Sequence, residues 1–169
     1  MELRGRHVTL RSTEPADAPA LTAILAEPGV SRWWGEFDLE RVRAELIVGD
    51  PEELPFVIEN DGEAIGYVQA VEESEPDFRS AGIDLFLRTE AQGRGLGPDA
   101  ILAVAAYLID ERGHHRLTID PATDNVRAVA AYAKLGFRPV GIMRRYQRMT
   151  DGHWADALLM DLLGEELVR

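Results

Sequence analysis

The stretch from Ala81 to Glu111 constrains the fold of this chain most. An apolar run ends at Arg88, the glycine-rich turn Gln92-Gly93-Arg94-Gly95-Leu96-Gly97 follows, and an apolar, helix-like run begins at Pro98. A strand that enters a helix through such a turn is the signature of a sheet with helices packed on it, and proline suits the first helical turn because no N–H is needed there. Upstream, Val8-Thr9-Leu10-Arg11 alternates as a short strand. Ser12-Thr13-Glu14-Pro15 supplies helix-start chemistry for a helix over Ala18–Ala26, which Pro28-Gly29 ends. Trp33-Trp34-Gly35 reads as a turn, after which Asp38 caps a second helix to about Val48, broken by Asp50-Pro51. Strands over 55–59 and 63–71 are joined through Asn60-Asp61-Gly62, residues that tolerate positive φ, and a polar loop spans 74–80. Leu117–Ile119 is a further strand, and a helix capped by Asp124 or Asn125 runs to Leu135 with Gly136 as its stop. Strands over 137–145 and 154–162 close a β-α-α-β-β-β-α-β-α-β-β order, which predicts a mixed sheet of the α/β or α+β class.

Nothing suggests more than one domain: 169 residues carry no repeat and no linker. There is no cysteine, which removes disulfides, thiolate-bound zinc and a thiol nucleophile. No window approaches the ~18 apolar residues of a membrane span, so a cytoplasmic location is expected. Charge is distributed unevenly. Residues 36–90 hold sixteen acids against four arginines and account for the whole net charge of −12, whereas the segments on either side are neutral. Such a balance argues against nucleic acid as a partner and favours capture of a cationic ligand.

The glycine turn carries chemistry as well as shape. Backbone N–H groups at a helix N-terminus form an anion site, glycine lets a diphosphate approach without a Cβ in the way, and Arg94 adds a charged donor. The spacing is neither the dinucleotide pattern G-x-G-x-x-G nor a triphosphate loop, which needs Gly-Lys-Ser/Thr; the one lysine of the chain is Lys134.

About thirty residues on stand Asn125, Ala128, Tyr132 and Leu135-Gly136-Phe137. Together with Gln92–Gly97, this pattern resembles the GNAT superfamily of acetyl-CoA-dependent N-acetyltransferases. The resemblance implies a GNAT-like fold, a single domain over 1–169 with a central, mostly antiparallel mixed sheet flanked by helices. It also implies acetyl-CoA as co-substrate and no metal. Gln92, Gly93, Arg94, Gly95, Leu96 and Gly97 would hold the pyrophosphate, with Asn125, Ala128 and Lys134 along the rest of the coenzyme. The strand backbone at Leu85, Phe86 and Leu87 would polarise the thioester carbonyl, and Tyr132 would protonate the leaving sulfur. Pro98 removes one donor from the pyrophosphate turn.

Further segments extend the likeness across nearly the whole chain: Arg32-Trp33-Trp34-Gly35, Gly62 to Gln69, Gly82-Ile83-Asp84 and Thr118-Ile119-Asp120-Pro121. They are similar to those of aminoglycoside 6′-N-acetyltransferases. That likeness implies that Asp84 lies beside the amine to be acetylated and that Asp120 contacts the rest of an aminoglycoside, a cationic amine acting as substrate. Trp33 and Trp34 offer flat surface for a sugar ring, with one of the two expected to be buried, and Tyr67 and Gln69 share a strand face that could border the substrate. Direct transfer is expected, since no cysteine is present to carry an acyl group. Alternative readings are a siderophore-type hydroxylysine or polyamine N-acyltransferase and a non-catalytic acyl-CoA-binding module. His114, His115 and His153 have no partner at helical metal spacing and are expected to be ordinary surface or strand histidines. A monomer and a homodimer are equally compatible with the sequence.

Overall fold

A computed structural model describes residues 1–169. Its elements are strands β1 (Glu2–Arg4) and β2 (Thr9–Ser12), helices α1 (Ala18–Leu25), α2 (Pro28–Trp34) and α3 (Leu39–Val42), and strands β3 (Glu53–Asn60), β4 (Glu63–Glu73) and β5 (Ser80–Leu87). There follow α4 (Leu96–Asp110), β6 (Arg116–Ile119), α5 (Val126–Lys134), β7 (Arg138–Arg148) and β8 (Trp154–Leu163). All eight strands form one open sheet in the order β1-β2-β3-β4-β5-β6-β8-β7, antiparallel everywhere except between β5 and β6. No helix is long and apolar enough to cross a membrane.

Alternation along the central strands divides the core into two layers, because successive strand side chains point to opposite faces. Phe56, Ile58, Val68, Ala70 and Ile83 face α4, whose Ala100, Ile101, Val104 and Leu108 complete the larger layer. Val57, Tyr67 and Phe86 face the other way, against Leu21 and Leu25 of α1, Val30 of α2 and Val42 of α3. Burial on this scale, at about 25 cal/mol for each Å² of apolar surface, is the main source of stability.

Four sequence expectations need correction. The first helix does end ahead of Pro28-Gly29, at Leu25, but Pro28 then opens a further helix that the sequence does not suggest, α2, at its first position, where the missing N–H costs nothing. Trp33 and Trp34 therefore sit on a helix rather than in a turn. The segment after Asp38 begins as α3, capped by the Asp38 carboxylate on the Arg41 N–H, and widens into a π-helical turn over Arg43–Val48. Strand β1 was not anticipated; three residues are too few to show a period, and it pairs only with β2.

His114 is the fourth. It is buried, and its Nε2 lies 2.7 Å from Glu72 Oε1 on β4, where the Arg112 guanidinium also binds both carboxylate oxygens. The cation beside it holds the Glu72 carboxyl below its ordinary range. Its carboxylate partner comes from a distant strand, which helical spacing could not show. No group of three or more His, Cys, Asp or Glu could hold a metal ion.

Candidate active site

The site begins where the sheet opens. Strand β5 pairs with β4 along its whole length but with β6 only through Ala81 and Gly82, so the two parallel strands part after Gly82. Arg88 N–H bonds to Ile65 on β4, and antiparallel pairing alternates from there. The N–H groups of Leu85 and Leu87 consequently face the opening, and that of Phe86 faces β4. Consistently, the Leu85 carbonyl accepts the Trp34 indole N–H at 3.2 Å and the Leu87 carbonyl accepts the Gln92 amide at 2.9 Å. Phe86 is thereby removed from the coenzyme set: its N–H belongs to the ladder, and its ring is buried between Trp34 and Tyr67.

Beyond β5 the chain enters the glycine turn. Gly93 and Gly95 have φ of 74° and 81°, the left-handed region that side chains resist. The Arg127 guanidinium of α5 also occupies the space where a Gly93 Cβ would lie. None of the N–H groups from Gly93 to Gly97 bonds to another group of the chain, and the first helical bond of α4 runs from Asp99 N–H to the Gly95 carbonyl. Five consecutive free donors at the start of a helix of 15 residues are the kind of cradle that suits an anion. Pro98 lies in that first turn, as expected, and Arg94 has no acidic partner. The Asp99 carboxylate turns away from the cradle to accept the N–H groups of Arg6, His7 and Val8, tying the first hairpin to the helix start.

Across the opening, a cavity of about 360 Å³ gathers Asp84, Leu85, Asp120, Asn125 and Tyr132 with Trp33, Trp34 and Gln69. Asp84 stands directly across the ladder from Gln69. The Asp84 carboxyl is open to the cavity yet ringed by protein, and this burial, reinforced by the nearby charge of Asp120, raises its pKa to about 6, with the Gln69 amide acting in the opposite sense. Burial also raises Asp120, against the hydrogen bond it receives from Tyr146. Burial first, and then the two carboxylates, push the Tyr132 phenol above its ordinary range, so it remains protonated at neutral pH and can donate.

Asn125 caps α5 by accepting the Ala128 N–H at 3.3 Å, leaving its amide N–H groups for the cavity. Ala128 itself is thus part of the cap. Lys134 is exposed in the last turn of α5 and is not on the cavity wall. Trp33 and Trp34 both line the cavity and both are half-buried, so the expected split between a buried and an exposed indole does not occur. Tyr67 is absent from the wall: it is fully buried, stacked on Phe86, and its hydroxyl donates to Gln69 Oε1 at 2.9 Å. The expectation that it borders a substrate gives way to a supporting position behind Gln69.

Three residues were missed. Tyr146 and Gln147 reach the cavity from β7, and Arg127 lies over the glycine turn. Tyr146 donates to Asp120 Oδ2 at 3.0 Å, and the Gln147 amide donates to the Trp33 carbonyl at 2.6 Å, spanning the cavity from β7 to α2. No motif marks the two β7 residues, because they reach the cavity beside a break in strand register, Tyr146 while still half exposed.

Comparison with known proteins agrees with this geometry. A family model described as an acetyltransferase (GNAT) domain matches residues 7–138. The chain is 28% identical to an aminoglycoside N(6′)-acetyltransferase type 1 of Klebsiella pneumoniae, over 79% of this chain and 75% of that protein. It is likewise 28% identical to a spermidine N(1)-acetyltransferase of Escherichia coli (strain K12), over 90% of this chain and 84% of that protein. Its fold matches a crystal structure of spermidine N-acetyltransferase from Vibrio cholerae in complex with CoA and spermine, with a TM-score of 0.83 and 22% identity over 95% of this chain and 97% of that one. With an open sheet that parts after Gly82 and a family model that covers most of the chain, residues 7–138, the conclusion is that the chain belongs to the GNAT acetyltransferase family.

Proposed function

We propose that this enzyme transfers an acetyl group from acetyl-CoA directly to a primary amine of a small polycationic molecule, with the 6′-amine of an aminoglycoside as its leading acceptor. The observation that carries this reading is the pair of carboxylates, Asp84 and Asp120, facing Tyr132 in one aromatic-walled cavity next to the free donors of the glycine turn. Acetyl-CoA supplies the acyl group as a thioester, an electrophile that an uncharged amine can attack. The chain supplies the rest.

The N–H groups from Gly93 to Gly97 and the Arg94 guanidinium suit a pyrophosphate, with Asn125 available to the pantetheine arm. Leu85 and Leu87 present N–H groups where charge develops on an acyl oxygen. Tyr132, protonated and desolvated, donates to the departing sulfur. Asp84 attracts the incoming ammonium and accepts its proton; with a pKa near 6 it is a better base than an ordinary carboxylate while remaining mostly ionised at pH 7. Asp120 holds a second cationic group, and Trp33 and Trp34 give an aromatic wall for the hydrocarbon or sugar portion.

A linear polyamine is the second reading, favoured by the equal identity to the Escherichia coli spermidine enzyme over a larger share of both chains. Release of coenzyme A separates the two. Aminoglycosides with a 6′-amine, matched compounds with a 6′-hydroxyl, spermidine and a hydroxylysine-like amine are offered in turn. Turnover limited to the 6′-amines is the expected result, turnover of spermidine alone selects the second reading, and coenzyme binding without release for any of them contradicts both.

A further inference from the structure

Strand β7 is not regular. Its register against β8 slips between Met143 and Gln147, and within the slip Arg145 has φ of 51°, one of two non-glycine residues of the chain in the left-handed region. For a residue with a Cβ this conformation is unfavourable and persists only where surrounding bonds hold it. Asp156 of β8 provides one: its Oδ1 accepts the Arg145 N–H at 2.7 Å. The backbone of the same residue holds the opposite wall, since its carbonyl accepts the Thr123 N–H at 2.9 Å, two residues after Pro121. A bridge between Ala122 and Ala157 and the bond from Leu158 N–H to the Pro121 carbonyl extend that attachment. Asp156 thus fixes two segments at once: the bulge that carries Tyr146 and the loop that carries Asp120.

The result is the Tyr146 to Asp120 hydrogen bond, which engages Oδ2 and leaves Oδ1 for the cavity. A carboxylate rotates readily about its last torsion, so one fixed oxygen decides where the other points. The groups facing Asp120 are Asp84 from β5, Tyr132 from α5 and Tyr146 from β7, and none of them is a cation. A second ammonium group on the acceptor would be the counter-charge that this pocket lacks.

We propose that Tyr146, held against Asp120 at the cavity by the Asp156-anchored bulge, is a positioning residue for Asp120 that makes the site select acceptors bearing a second ammonium group. The inference rests on the amine-acceptor reading above, but its test does not require turnover. Binding of 1,4-diaminobutane and of 1-aminobutane is measured by the fluorescence of the cavity indoles, for the wild type, Tyr146→Phe, Asp156→Ala and Asp156→Asn, alongside KM and kcat for coenzyme A release. The wild type is expected to bind the diamine more tightly than the monoamine. Tyr146→Phe should shrink that ratio about tenfold, the scale of one hydrogen bond to a charged group, through KM rather than kcat. Asp156→Ala should reproduce the loss with Tyr146 still present, and Asp156→Asn, which keeps an oxygen acceptor for the Arg145 N–H, should restore it. An unchanged ratio in Tyr146→Phe, or a fall in kcat at constant KM, overturns the inference. Absence of turnover with a retained binding ratio overturns the amine-acetylation reading instead.

Discussion

The two sides of the active site are built from different materials. In the proposed reading, recognition on the coenzyme side is a property of backbone: free N–H groups from Gly93 to Gly97 at the start of α4 and two more on the unpaired edge of β5. Beyond the Arg94 and Asn125 side chains, what matters there is the absence of a Cβ at positions held at positive φ. On the proposed acceptor side, recognition belongs to side chains that meet from five places: α2, β4, β5, the loop after β6, and β7. The backbone side suits one invariant ligand, a diphosphate, whereas the side-chain side can be rebuilt one residue at a time for a different amine. In this reading family membership is written on one side and substrate choice on the other.

Substitutions can break that division or sharpen it. Tyr132→Phe should have the largest effect, lowering kcat by about 100-fold or more while the dissociation constant for acetyl-CoA changes far less, because a donor to a leaving group acts mainly in the transition state. Steady-state kinetics with a separate coenzyme titration check it. Equal losses in both parameters would mean that Tyr132 belongs to binding.

Asp84→Asn should come next, at about tenfold or more in kcat/KM for the amine, and it should remove a limb of the wild-type pH profile that rises through about pH 6. Stability should move in the opposite sense. A carboxyl whose folded-state pKa lies above its unfolded value, near 4, stabilises the fold fully only below that value, and this contribution is lost as pH rises through about 6. At pH 7.5 Asp84→Asn should therefore melt about 2–4 °C above the wild type, a modest figure because one side of the carboxylate is open to the cavity, and the difference should vanish near pH 4. Thermal melts across that range decide the sign.

Gly95→Val probes the backbone side. A β-branched residue resists a φ of 81°, so KM for acetyl-CoA should rise about tenfold with little change in KM for the amine. Loss confined to the amine would put the glycine turn on the wrong side of the site. Pro98→Ala returns one N–H to the first turn of α4 and should lower KM for acetyl-CoA by about two- to threefold, the smallest of these effects and the one improvement among them.

The same division explains what could be read from the chain. The glycine turn and the Asn125 cap lie in local patterns whose physics is contained within a few residues, whereas the roles expected of Tyr132, Asp84 and Asp120 come from the likeness of their segments to those of acetyltransferases, with Asp84 a charge within an apolar strand and Asp120 one just past the end of another. Tyr146 and Gln147 have no such pattern. Their place at the cavity goes with the positive φ of Arg145 and its bond to Asp156 in the next strand, and neither is visible in the order of residues. Tyr67 was misplaced for a related reason: period two gave its face correctly, shared with Gln69, but not the depth to which α1 to α3 bury it. His114 likewise gained its carboxylate from Glu72, 42 residues earlier.

The most direct measurement is a rapid-quench single turnover with acetyl-labelled acetyl-CoA and a 6′-amino aminoglycoside. Direct transfer between the Tyr132 and Asp84 sides of one cavity predicts that label passes from coenzyme to amine in step with coenzyme A release and that no labelled protein forms at any time. Labelled protein that appears before the acetylated amine, and decays as the amine accumulates, would contradict it.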